Sequence, residues 1–359
     1  MVNTLNIFDV SSMLYAGQCA KAYSTKNDMF SEGRSAEGLP IGGVRYTLSV
    51  VLQKLKDNED VLLVFDSKTD KQRVFHDYKG NRTFNPAIMV QQMLLRDAAE
   101  GMKLPMLQAD NYEADDLVAA AVQRYIYKYS NIYIYTGDTD LAANIINDRV
   151  SIRGTASIYP SIDSDNYEYT VKHGLIIQYN TILPYYAIYG KPSNNVPPIG
   201  DKECCDKCYR AFIEYSNSVQ ASPAKLSTTD HFAHWLLAAL QSSDTVMTAE
   251  LIEKLYERIA YVFPRPYEEP LDIEFRSANE LDMKELGFYL KTFNLNNLLM
   301  WFDQLEVVAN NKTPAMYDYI KRYKNIYFTG TMAVDNDLPA DDSFFTGEPS
   351  TFFIDEGDF

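Results

Sequence analysis

Seven carboxylates are candidates to gather round a divalent cation: Asp9, Asp66, Glu113, Asp115, Asp116, Asp138 and Asp140. The densest group lies in Asn111-Tyr112-Glu113-Ala114-Asp115-Asp116-Leu117, where three acids share four positions. Charges so close repel one another unless a cation compensates them. An all-oxygen set suits Mg²⁺ or Mn²⁺, and the absence of His and Cys from it argues against zinc. Each residue alone has a bland explanation. Acids are favoured at helix starts by the macrodipole, and Asp is common in turns and at N-caps. Their recurrence is what points to a site.

Cations follow close behind. Arg73 and the run Tyr78-Lys79-Gly80-Asn81-Arg82 come just after Asp66. Beside a carboxylate-bound metal such groups suit a phosphodiester, clamping its non-bridging oxygens and stabilising charge in the transition state. Alone, the run would pass for a solvated basic loop. Further on, Asn194-Asn195-Val196-Pro197-Pro198-Ile199-Gly200-Asp201-Lys202 reads as a tight hairpin between helices. Such a turn can aim backbone N–H groups at a phosphate. Cys204, Cys205 and Cys208 invite a zinc reading with His231 and His234. Structural zinc sites space their histidines three to five apart, however, so reduced thiols on a helix fit better.

Three apolar runs position the carboxylates. Leu5–Phe8 ends in Asp9, Val61–Phe65 ends in Asp66, and Ile132–Thr136 leads through Gly137 to Asp138 and Asp140. Short apolar runs suit strands of a parallel α/β sheet buried on both faces, with helical patterns such as Val44–Lys56, 86–100 and Ala114–Lys128 between them. Ligands of such sheets lie beyond the carboxyl ends of the strands. Residues from about 170 to 305 read as mostly helical, near 172–190, 202–216, 230–242, 248–262 and 280–302. A short helical stretch follows around Tyr317–Lys324, and then an acidic, unstructured end.

At 359 residues, 46% hydrophobic and 23% charged, the chain can bury a sizeable core as one large domain or two modest ones. No apolar run approaches the roughly 20 residues of a membrane span. The N-terminus lacks a secretory signal, which points to the cytoplasm, or to a host cytoplasm if the source is viral. A net charge of −16 lowers the expectation of a nucleic-acid partner, but half of it sits after Lys324, where eight carboxylates and no Lys or Arg remain. Metal ligands among the remaining acids would offset much of the rest.

In this order the motifs resemble the 5′-nuclease family of bacteriophage flap endonucleases, 5′→3′ exonucleases and the 5′-nuclease domain of bacterial DNA polymerase I. The similarity runs from about residue 3 to 305 and ends on Gly287–Phe302. It implies a PIN-like parallel sheet flanked by helices, with a helical arch and a C-terminal helix-hairpin-helix subdomain. The expected divisions are a nuclease domain at 1–168, a DNA-binding subdomain at 169–306, and a linker and disordered tail at 307–359. By the same resemblance Asp9, Asp66, Glu113, Asp115 and Asp116 hold a first metal group, and Asp138 and Asp140 extend toward a second. Asp9 and Asp66 serve catalysis together with Lys79 and Arg82, which contact the scissile phosphate. Arg73, Lys79, Arg82, Val196, Ile199, Gly200 and Lys202 bind DNA, with K⁺ at the hairpin.

The departure from the family is as informative. Where it has Gly-Asp-x-Ser-Asp-Asn, this chain has Gly190-Lys191-Pro192-Ser193-Asn194-Asn195. Both second-metal carboxylates are lost, to Lys191 and Asn194, and Lys191 is placed to repel a second divalent ion. The expectation is one tight metal and a weak or absent second, in a monomer that cuts 5′ ends or flaps of DNA, or the RNA of RNA–DNA hybrids, in replication. The runner-up is a non-catalytic protein that binds branched DNA; a PIN-type ribonuclease is a third reading, disfavoured by the hairpin and by Lys79 and Arg82. The tail, with Phe344-Phe345, Phe352-Phe353 and a terminal Phe359 among acids, fits either a solubilising end or a peptide for a basic replication partner. Together with Tyr78–Arg82 it gives the sequence a phage-like character.

Overall fold

The computed structural model describes residues 3–19, 33–35, 38–67, 77–80, 85–155, 161–163, 168–170, 176–178, 181–218, 248–299, 301 and 313–329. Arg73, Asn81, Arg82, His231, His234, the expected arch and the acidic tail lie outside them.

The first half is a parallel sheet of five strands, β1 (Thr4–Asp9), β2 (Asp60–Val64), β3 (Met106–Leu107), β4 (Asn131–Thr136) and β5 (Val150–Gly154). They run in the order β3-β2-β1-β4-β5, and every pairing is parallel. The chain steps outward from β1 on one side and then returns to its other side, so β1 is where the strand order reverses. Its two neighbours are β2 and β4, and all three lead to the acids at one edge.

Local sequence explains the elements. β1 is buried at every position, as a central parallel strand requires. β4 instead alternates, with Ile132, Ile134 and Thr136 inside and Tyr133 and Tyr135 half-buried. One face of β4 is therefore partly open, where the sequence pattern predicts a strand covered on both sides. Four helices flank the sheet: α1 (Val10–Cys19), α2 (Gly42–Lys56), α3 (Pro86–Met102) and α4 (Ala114–Tyr125). Asn85 caps α3, its side chain accepting from Ala87 N at 3.1 Å and Ile88 N at 3.3 Å, with Pro86 at the first helical position.

Two hydrophobic cores form, one on each face of the sheet. On one face Leu5, Ile7, Leu62 and Val64 pack with α4 and with three later helices, α5 (Ile182–Tyr189), α6 (Lys202–Ser218) and α7 (Ala249–Val262). On the other, Phe8, Val61 and Leu63 pack with α2, α3 and the last helices, α8 (Met283–Thr292), α9 (Asn296–Leu299) and α10 (Pro314–Thr329). The helical second half thus divides between both faces.

Three expectations need correction. The stretch 172–190 is not one helix: two strands, β6 (Glu168–Thr170) and β7 (Ile176–Gln178), pair antiparallel before α5. The stretch 280–302 breaks at Asn294, whose φ of 56° lies in the left-handed region, and gives α8 and α9. Tyr317–Lys324 grows to the 16 residues of α10. Met316, Ile320, Tyr323 and Ile326 form its buried stripe at helical spacing, and the Tyr323 hydroxyl bonds Asp97 of α3. Among the described residues, no helix is long and apolar enough to cross a membrane.

Candidate active site

Asp9 ends β1, Asp66 follows β2 by two residues, and Asp138 follows β4 by two. Neighbouring strands lie about 4.8 Å apart, so parallel pairing alone brings these three acids to one edge. Helix α4 starts there too. The Ala114 N–H donates to Asp66 Oδ1 at 2.8 Å, which ties the helix start to the end of β2. Asp115, in the first turn, is thereby set among Asp9, Glu113 and Asp138, each of which acts on its charge.

The electrostatics show a site short of positive charge. Burial pushes the Asp9 carboxyl up from 3.8 to about 7, and Asp66 and Asp138 add to the rise. Thr136 Oγ1, donating to Asp9 at 2.8 Å, and Ser12 N, donating at 3.3 Å, only partly counter it. Asp115 is also raised well above the ordinary carboxylate range, by burial and then by Asp138. Among the described residues no hydrogen-bond donor reaches the Asp115 carboxylate. These are the conditions that a cation relieves.

Two lysines supply part of the missing charge. Lys79 Nζ forms an ion pair with Glu113, which also accepts from the Tyr78 hydroxyl at 3.1 Å. Lys191 Nζ pairs with Asp140 and stands 3.7 Å from Asp138 Oδ2. Burial opposes the charge on Lys191, but Asp138, Asp140 and Asp115 outweigh it and hold its pKa above the usual lysine value. Asp140 is pushed up to about 6 by burial and by Asp138, against the pull of Lys191.

Lys191 arrives by a specific turn. Gly190 ends α5 with φ at +79°, and a Cβ there would lie 2.4 Å from the Val196 carbonyl oxygen, so only glycine fits. Lys191 N then donates to Val196 O at 2.8 Å, and Val196 N returns the bond to Lys191 O at 3.1 Å. The hairpin 191–196 closes against the segment before the expected arch: Lys79 N donates to Asn194 O at 2.9 Å, and Asn195 Nδ2 to Asp77 O at 3.0 Å.

Not every expected ligand faces the cation. Both oxygens of Asp116 are held by backbone donors, Oδ2 by Glu113 N at 2.9 Å and Oδ1 by Arg265 N at 2.7 Å. Asp116 therefore serves the start of α4 and the docking of the segment after α7. Val196 and Ile199 are buried, and their N–H groups donate to Lys191 O and Ile188 O. Neither offers a phosphate anything. Among the described residues Gly200 N–H has no acceptor, and Lys202 is exposed, so the hairpin can offer only its last residues. Among the described residues the cysteines form no zinc site: Cys205 and Cys208 are buried thiols in α6, and Cys205 Sγ donates to Ile188 O at 3.4 Å; His231 and His234 lie outside the described residues.

As a donor set, Asp9, Asp66, Asp115 and Asp138 fit a hard divalent cation, which prefers carboxylates and retains water. Among the described residues, however, no three acids, His or Cys stand close enough as they are to hold a metal ion, so side chains would have to turn to bind one. Supporting residues escaped the sequence reading. Ser11 Oγ donates to Asp66 Oδ2 and accepts from Gln92 Nε2 at 2.7 Å, while Ser12 Oγ accepts from Gly137 N. The available signal was Ser11-Ser12 in the first turn after Asp9.

Residues 4–172 match the family model of the 5′-3′ exonuclease N-terminal resolvase-like domain. A 5′-3′ exonuclease of Aquifex aeolicus is 22% identical over 323 residues, covering 85% of this chain and 93% of that protein. The thermostable DNA polymerase I of Thermus aquaticus is 26% identical over 281 residues, 76% of this chain and 31% of the polymerase. Against that polymerase and the one of Caldicellulosiruptor bescii, this chain spans only 31% and 25% of their length. Among solved structures, the T5 D15 protein co-crystallized with metal ions aligns with TM-score 0.45 at 16% identity, over 72% of this chain and 89% of that one.

Proposed function

We propose, from the match of residues 4–172 to the 5′-3′ exonuclease N-terminal domain and the likeness to the Aquifex exonuclease, that the chain is a 5′-nuclease that hydrolyses phosphodiesters at 5′ ends or flaps of DNA during replication, with Mg²⁺ or Mn²⁺. The observation that carries this is the acidic edge, where buried Asp9 and half-buried Asp115 are held against their own repulsion. When bound, the cation supplies Lewis-acid polarisation of the phosphate and lowers the pKa of water. Asp9, Asp66 and Asp115 hold it, directly or through water, with Asp138 beside them. Ser11, Ser12 and Thr136 keep the Asp66 and Asp9 oxygens oriented by the bonds described above. Lys79, paired with Glu113 here, is the residue that would contact a non-bridging phosphate oxygen. Arg82, and Arg73 further back, act on the same strand.

In this reading residues 1–168 are the cutting domain and 169–306 bind duplex, through Gly200 and Lys202 at the hairpin, which would also hold K⁺. The protein works as a monomer in the cytoplasm, of a host if it is a phage protein. RNA of a hybrid is a second substrate, and the acidic Phe-ended tail docks on a basic replication partner. The Aquifex relative, matched over nearly its whole length, is named an exonuclease, which weighs against a purely binding role.

The test is cleavage of a 5′-flap DNA with Mg²⁺ or Mn²⁺, beside Asp66→Ala and Asp115→Ala. Cleavage that both substitutions abolish while flap binding persists is the expected result. Turnover unchanged in either variant would sink the assignment.

A further inference from the structure

We propose that the Lys191 ammonium is a built-in cation, permanently seated at the Asp138–Asp140 end of the acidic edge, and that it limits this chain to one divalent ion. The inference rests on reading that edge as a cation site.

The seating is specific. Lys191 is 6% exposed, its ammonium pairs with Asp140, and Asp138 Oδ2 lies 3.7 Å away. Its backbone is pinned in both directions by Val196, and Gly190 makes the turn that aims it inward. The ammonium also lies 5.6 Å from the ring centroid of Tyr186, so an aromatic face lines its path. A side chain held by two carboxylates, a ring and a closed hairpin has nothing to gain by swinging out to water.

The rest of the hairpin agrees with that role. Asn194, three residues on in the same hairpin, is buried and neutral, and its carbonyl is engaged by Lys79 N. The hairpin therefore contributes a unit positive charge and no carboxylate. Asp140 Oδ1 is buried without a hydrogen-bond partner among the described residues. Among the described residues a second divalent ion there would find Asp138 and Asp140 as ligands and would meet Lys191 at the same oxygens, so like charge opposes it. At the other end Asp9 and Asp66 make no ion pair with Lys191, while Asp115 feels its charge without pairing with it. The ammonium also carries a stability role, since without it the largely buried Asp140 keeps its charge beside the half-buried Asp138. Lys191 is thus a positioning residue: it fixes two carboxylates and sets the number of cations.

The experiment titrates the full chain, without DNA, with Mn²⁺ and reads free Mn²⁺ by electron paramagnetic resonance. One ion per wild-type chain and two per Lys191→Asp, Asn194→Asp double variant is the expected result. Two ions in the wild type, or none, overturns the proposal. Should the double variant fail to fold, Lys191→Met keeps the shape and removes the charge. Its thermal midpoint in EDTA should fall below that of wild type, and Mn²⁺ should raise it by more than it raises the wild type. Equal midpoints in EDTA, or equal Mn²⁺ shifts, overturn the proposal equally well. Flap cleavage is scored separately. One bound ion without cleavage leaves the Lys191 assignment standing and removes the nuclease reading, whereas two bound ions with cleavage does the reverse.

Discussion

Asp9→Asn should make the metal-free protein more stable at pH 8, although it removes a carboxylate at the heart of the site. The Asp9 carboxyl is buried and raised from 3.8 to about 7, chiefly by burial and then by Asp66. A group raised in the folded state contributes stability fully present below the unfolded value, and that contribution is lost as pH rises through the folded value. Between pH 3.8 and about 7 the native state therefore loses stability, up to about 4 kcal/mol at roughly 1.4 kcal/mol per pH unit. Asparagine carries no charge and still accepts from the Thr136 hydroxyl, which lies 2.8 Å from the present oxygen. Its amide cannot accept from Ser12 N, now 3.3 Å away, a loss of about 1 kcal/mol. A net gain of about 1–3 kcal/mol remains, or roughly 2–6 °C in Tm for a chain of this size. Thermal unfolding in EDTA, followed by far-ultraviolet circular dichroism at pH 8 and pH 4, reads it directly. The gain should vanish at pH 4, and saturating Mg²⁺ should reverse the order at pH 8. A variant less stable than wild type in EDTA at pH 8, or a gain equally large at pH 4, would refute the reasoning.

Other consequences test the frame around the site. Gly43→Ala, in the first turn of α2, would set a Cβ 2.5 Å from Leu14 O and 2.8 Å from Leu14 Cα. The helical preference for alanine is then overwhelmed, and denaturant titration should show a loss of about 1–3 kcal/mol. Tyr323→Phe removes the hydroxyl that bonds Asp97 between α10 and α3; a drop of about 1–2 kcal/mol in the same titration is expected, and no drop would mean that α10 docks without this contact. Burial, then Cys204, pushes the Cys208 thiol up to about 12, and burial raises Cys205 as well. Site-resolved mass spectrometry after brief iodoacetamide treatment at pH 8 should find Cys204 labelled well ahead of both, because little thiolate exists at either buried sulfur.

The parts legible in the sequence are those fixed by chain-local chemistry. Three apolar runs that each lead to Asp predicted three strands, and parallel pairing did the rest by setting β2, β1 and β4 side by side. The sequence marks Lys191 as a cation near the acids, and the structure adds where that charge goes. What was not legible depends on long-range partners. Nothing in the alternation of Asp115 and Asp116 separates them. The difference arises because Arg265, 149 residues away, brings its backbone N–H to Asp116. In the same way Val196 and Ile199 look like hairpin tips until α5 and the first core claim them. The helix foreseen at Tyr317–Lys324 is longer in the structure because its buried stripe runs from Met316 to Ile326, beyond the stretch the local pattern marked.

The hairpin and the acidic edge are one mechanical unit, and the substitution at Lys191 depends on that. The Asn194 carbonyl accepts from Lys79 N, and Asn195 Nδ2 donates to the Asp77 carbonyl, so the turn that offers Gly200 and Lys202 is fastened to the segment that carries Lys79. Lys79 itself sits at φ +54°, a region that costs a non-glycine residue energy and persists only when its surroundings impose it. The hydrogen bond from the hairpin is such an imposition. A load on the hairpin is felt by the backbone of Lys79, whose ammonium neutralises Glu113, and by Lys191, whose ammonium neutralises Asp140. Both lysines that balance the acidic edge are therefore positioned by one short turn. The turn can hold them only because Gly190 lets the chain pass within contact of Val196.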